Sequence, residues 1–163
     1  MKKIFLAACT VALSATFTFA AETSKPISVG SPGQWTATTI EAANNPVAKD
    51  YLTKAVPATI TGEVVDVSCY LQLGKRGEKH IDCGKKCVIN GQPFGIVDAN
   101  NKLTILFAEE HHPRRDGKVS LREKFASLMA KTVTASGMLT QTNGYAALYV
   151  QAEPLTPRAS DKP

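Results

Sequence analysis

No Cys-x-x-Cys-His, none of the tight cysteine spacings of ferredoxins and no Lys or Arg run longer than two occurs in the 163 residues. The first two absences exclude a c-type haem attachment and make an iron–sulfur cluster an unusual fit. The third removes a nucleic-acid footprint. Pairs such as Lys85-Lys86 and Arg114-Arg115 stand alone among acids, aromatics make up only 7% of the chain, and the formal charge of +5 is a weak bias. Downstream of residue 20 no apolar run approaches the ~20 residues of a membrane-spanning helix. No oxyanion motif accompanies any serine or cysteine, so a binding protein is favoured over an enzyme.

What is present begins with an export signal over residues 1–20. Lys2 and Lys3 form a basic start, residues 4–19 are largely apolar, and Ala20 supplies the small residue before cleavage. A lipoprotein box at Leu6-Ala7-Ala8-Cys9 is disfavoured, because only about five apolar residues precede Cys9 where ~7–15 are needed. The expected product is periplasmic or secreted, with no stable membrane span. Loss of Lys2 and Lys3 lowers its formal charge from +5 to +3.

Cys9 leaves with that leader, so Cys69, Cys83 and Cys87 remain. Three thiols in an oxidising compartment cannot all pair within one molecule. A chain of this length buries an ordinary core without needing staples. A functional reason for the thiols follows more readily than a structural one.

Residues 21–57 are rich in Ser, Thr, Pro, Gly, Ala and Asn and read as an extended arm. It carries the only tryptophan, Trp35, placed to pack on the domain, and a helical stretch near residues 39–51 broken at Asn44-Asn45-Pro46. Residues 154–163 read as a disordered tail.

Between them, residues 58–153 form the expected domain. A β-branched strand interrupted at Gly62 runs to Tyr70 and is followed by a cysteine helix over residues 78–89, stopped by Asn90-Gly91. Strands at residues 93–98 and 102–108 form a hairpin. Ser120 caps a helix in which Leu121, Phe125, Leu128 and Met129 share a face, and Asn143-Gly144 joins two last strands. The fold class is therefore mainly β with two short helices. Five strands with a helix between the third and fourth is the order of a small OB-fold-like barrel. Ile60, Val64, Ile96, Leu103, Ile105, Val133, Leu148 and Val150 are its expected core.

The chemistry concentrates in DVSCYLQLGKRGEKHIDCGKKCVING, residues 66–91. On a helix His80, Cys83 and Cys87 fall at i, i+3 and i+7, one stripe, with Cys69 arriving from the preceding strand. Three sulfurs and an imidazole are a donor set for zinc or copper(I). If one ion is shared, the sulfurs should stand within roughly 4 Å of one another. Asp66 and Glu78 are harder donors and are left outside the ligand set, with Tyr70 as a hydrogen-bonding neighbour or barrel packing.

Other uses of the same residues remain open. Cys83 and Cys87, four apart on a helix, can form a disulfide or a redox dithiol, with Cys69 bridging to either or trapping intermediates. Lys85 and Lys86 favour thiolates or are simply a solvated face. Cys83 with His80 is a dyad without an oxyanion site. His111-His112 lies in a polar loop and reads as solvent-facing.

The combination GEVVDVSCY, HIDCGKKC and GQPFGIVD resembles a group of exported bacterial OB-like proteins of uncharacterised activity. Their sequences share a Gly-Glu-Val-Val-Asp…Cys-Tyr…His-x-x-Cys-x-x-x-Cys…Gly-x-Pro pattern. The closing TVTASGMLTQTNGYAALYVQ is similar to the last hairpin of such domains, and the likeness spans residues 58–152. It implies the barrel and points to Cys69, His80, Cys83 and Cys87. In donor chemistry alone, the helical Cys-x-x-x-Cys with a His resembles copper-delivery and binuclear copper sites. The expectation is an exported protein holding copper or zinc for storage, delivery or stabilisation of a barrel that docks an exported protein partner. The alternatives are a Cys83/Cys87 redox protein and a plain ligand-binding or protein-binding barrel with structural cysteines.

Overall fold

The computed structural model describes residues 25–30, 33–109, 121–142 and 144–151. The expected signal peptide with Cys9, the His111-His112 pair, Ser120, Asn143 and the tail lie outside the described residues. No helix among the described residues is long and apolar enough to cross a membrane.

The arm opens with a short strand, β1 (Ile27–Val29), followed by helices α1 (Ala37–Ala42) and α2 (Pro46–Lys54). Both helices start where side chains satisfy the first backbone N–H groups. Thr36 accepts from the Thr39 amide, and Asn45 accepts from that of Ala48, with Pro46 in the first turn. The expected break at Asn44-Asn45-Pro46 separates the two helices. Trp35 seats the arm: its ring meets Tyr149 edge to face at 5.5 Å, and its Nε1 donates to the Leu52 carbonyl at 3.1 Å.

The domain is mainly β, a closed OB-like barrel of five strands with a few short helices. Its strands are β2 (Val56–Asp66), β3 (Phe94–Val97), β4 (Leu103–Ala108), β5 (Thr132–Thr142) and β6 (Tyr145–Val150). Strands β2, β3 and β4 run antiparallel in sequence, β6 joins β4 in parallel, and β5 pairs with both β6 and β2 to close the circuit. Helix α5 (Arg122–Ser127) lies between β4 and β5 in the chain. In β2, pairing passes from β5 to β3 at Glu63, next to Gly62. A side chain at Gly62 would collide with the Val97 carbonyl oxygen, so the absent Cβ is what lets β3 approach. Strand β1, not anticipated from the sequence, pairs in parallel with Val133 to Ala135 of β5, beyond the stretch that β6 covers.

Val64, Ile96, Val133, Leu148 and Val150 are fully buried, and Ile60 packs half-buried against them. Leu103 and Ile105 do not belong to this core. On β4 the inward positions are Thr104 and Leu106. The run LTILFA is apolar at every position but the threonine, so alternation does not fix its face. From α5, Phe125 is fully buried and stacks on Phe94 at 5.0 Å between centroids, with Leu121 and Met129 beside it.

Candidate metal centre

Strand β2 stops at Asp66 rather than running on to Tyr70, because the Asp66 carboxylate caps a helix. Its Oδ1 accepts from the amides of Ser68 at 3.0 Å and Cys69 at 3.4 Å, opening α3 (Val67–Leu73). Cys69 thus sits in the first turn of a helix with its backbone held by Asp66. Two further bonds fasten that turn to the start of β3: the Val67 amide to the Pro93 carbonyl at 3.0 Å, and the Ser68 hydroxyl to Gln92 at 2.5 Å. Tyr70 is half-buried on the same helix.

The link to the second helix is anchored as well. Glu63 accepts from the Gly77 amide at 2.6 Å. A 3-10 turn over Glu78–His80 leads into α4 (Ile81–Ile89), whose C-terminus is followed by Gly91 at φ +108°. The Arg122 guanidinium donates to the Val88 carbonyl at 2.7 Å, adding a side-chain donor to a carbonyl that also accepts from the Gly91 amide at 3.1 Å.

The buried stripe of this segment is His80, Gly84 and Val88, at i, i+4 and i+8. A Cβ on Gly84 would stand 2.9 Å from the Met129 Sδ, so glycine there lets α4 settle onto the core. Cys83 is exposed and Cys87 half-buried on the flank of that stripe. The expected single stripe of His80, Cys83 and Cys87 is corrected accordingly: the histidine goes inward with the packing face, and the two cysteines line its margin.

Two groups of donor atoms result, and they share Cys69. The sulfurs of Cys69, Cys83 and Cys87 all lie within 4.8 Å of one another, and so do donor atoms of Asp66, Cys69 and His80. The three cysteines therefore converge. All three are free thiols in the structure. His80 meets the cluster through Cys69 and Asp66 instead of completing a compact set of three cysteines and one histidine. Asp66, set aside on the sequence for its hard oxygen, stands at the centre. A side chain that caps α3 with Oδ1 is fully buried with Oδ2 turned to His80 Nε2, 3.8 Å away. Neither Oδ2 nor Nε2 has a hydrogen-bond partner among the described residues, although His80 is only 5% exposed. Unpartnered buried polar atoms are costly, and a cation between them would satisfy both.

The thiols feel the same electrostatics. The Cys69 thiol is pushed up to about 12, first by its hydrogen bond to the Asp66 carboxylate, then by burial, by the Asp66 charge and by the neighbouring Cys87. The Cys87 thiol is raised by burial first, then by Asp66 and Cys83. Asp66 raises both thiols through hydrogen bonding and charge, an effect that a bound cation opposes. The candidate centre is a three-cysteine or Asp/Cys/His cluster with the composition of a metal site.

Comparison of the chain with protein-family models, with curated proteins and with solved structures found no match.

Proposed function

We propose that this chain is an exported, non-enzymatic protein that binds a soft metal ion, copper(I) or zinc, as cargo or as a brace for its barrel. One observation carries the reading: three thiols gathered within 4.8 Å, next to a buried Asp66–His80 pair whose facing atoms lack partners among the described residues. Thiolates select soft cations, and imidazole and carboxylate complete zinc sites readily. The leader-like residues 1–20 and the resemblance to exported bacterial OB-like proteins support export.

Metal analysis of protein isolated anaerobically from the export compartment tests this. About one equivalent of copper or zinc, or stoichiometric uptake by the metal-free protein, is expected, with loss in Cys87→Ser. Less than about a tenth of an equivalent and no uptake would reject the reading.

The exposure of Cys83 within reach of Cys87 favours a second reading, thiol–disulfide exchange with a partner. Thiol counting without reductant separates the two. Three thiols that react only after chelation support metal, whereas one reactive thiol supports a disulfide.

A further inference from the structure

Away from the cysteines, a cavity of about 740 Å³ opens between the arm helices and strands β4, β5 and β6. None of its lining residues belongs to the metal centre. Its volume falls within the range of small-molecule sites. Three of the chain's four tyrosines, Tyr51, Tyr145 and Tyr149, line it together with the sole tryptophan, Trp35, and with Phe107. Phe107 stacks on Tyr149 at 5.5 Å, and Trp35 meets the same ring edge to face. Tyr145 is nevertheless 70% exposed, Tyr51 49% and Phe107 43%. Aromatic surface is thus collected in one place and left facing water, which marks a binding site more than a core.

The described lining of the cavity also carries charge of one sign. Among the described residues its one charged lining group is Glu109, which is 2% exposed. Three donors converge on its Oε1: the Thr36 amide at 2.8 Å, the Thr36 hydroxyl at 3.0 Å and the Thr39 hydroxyl at 2.5 Å. They hold the carboxylate in place from the arm, as part of the cavity lining. No Lys, Arg or His among the described residues lines the cavity, and Lys54, in the adjoining cleft that shares Tyr51 and Thr142, is paired with Asp50. Aromatic faces and a fixed carboxylate both attract positive charge, and no described lining residue would compensate an anion.

We infer that this cavity binds a small organic cation, its ammonium group held between the aromatic faces and Glu109. The site is independent of the metal centre and stands whether or not metal binds.

Trp35, as the only tryptophan, reports on the cavity directly. Full-length protein is titrated with choline, with its uncharged isostere 3,3-dimethylbutan-1-ol, and with 3,3-dimethylbutanoate, following tryptophan emission in the presence of a chelator. A saturable change with choline is expected, with the alcohol at least about tenfold weaker and the anion without effect. Glu109→Gln keeps an oxygen for the three threonine donors and removes the charge, so it should abolish the preference for choline over the alcohol. Tyr145→Ala alters an exposed ring, so it should weaken choline binding several-fold at an unchanged melting temperature. No saturation with choline up to about 50 mM, equal binding of alcohol and choline, or unchanged affinity in both variants would each overturn the inference.

Discussion

At the scale of single residues, Asp66 does two things with two oxygens. Oδ1 holds the α3 cap and so the backbone of Cys69, Oδ2 faces His80, and the carboxylate as a whole raises the neighbouring thiols. Asp66→Asn separates the roles, since an amide oxygen still caps but carries no charge. In metal-free protein the Cys69 thiol should fall from about 12 toward its ordinary 9.0. Iodoacetamide labelling of Cys69 at pH 8, read by peptide mass spectrometry, should then rise by at least about tenfold. Unchanged labelling would show that the carboxylate does not hold the thiol proton. Metal affinity should fall in the same variant.

The sign of the pH dependence follows from the same shift. A thiol whose folded value is raised holds its proton more tightly in the fold than in the unfolded chain. The stability it contributes is complete below pH 9.0 and is lost as pH climbs through about 12. Cys87 shifts in the same direction. The melting temperature of the metal-free protein should therefore decline above pH 9 more steeply than that of Cys69→Ser.

The importance of Asp66 was hidden in the sequence for a physical reason. Ligand type points to the sulfurs and the imidazole, but whether a carboxylate joins them depends on burial and on which way a cap faces. The cysteines were legible because their spacing and chemical softness are local properties. Glu109 was invisible for the opposite reason: its donors, Thr36 and Thr39, lie 73 and 70 residues away.

Among the elements, hairpins and the amphipathic α5 could be read from turn chemistry and period, and the barrel followed from their order. Two features could not. Val64, Val65 and Val67 around Asp66 read as continuous strand, and only the cap bonds of Asp66 turn the chain into α3. Strand β1 is three residues long and depends on the β5 edge for its existence. The elements make their own predictions. Gly62→Ala forces β2 and β3 apart at a backbone carbonyl and should destabilise the domain by about 1–3 kcal/mol or more. Leu148→Ala, in a fully buried β6 position, should cost about 2–5 kcal/mol. Urea denaturation measures both, and an unshifted midpoint for Leu148→Ala would contradict the register of the last hairpin.

For the whole molecule, metal and fold should be thermodynamically linked. An ion present at about a hundred times its dissociation constant stabilises the folded state by ~2.7 kcal/mol, or roughly 5–11 °C in melting temperature for a chain of this size. Differential scanning fluorimetry with zinc, and anaerobically with copper(I), should show that rise, its reversal by a chelator and its absence in Cys87→Ser.

The cysteine cluster is built wholly from residues 66–87, whereas the aromatic cavity draws together both ends of the domain and the arm. Short loops close quickly and at small entropic cost, so the thiols can gather while β5 and β6 are still unpaired. If the proposed ion binds, an incompletely folded chain would be able to capture it before the barrel is sealed, and the ion would brace the β2–β3 corner. The cavity has no such head start. It comes into being only when Thr36 reaches Glu109 across the finished barrel, so its ligand can recognise the completed protein and nothing earlier.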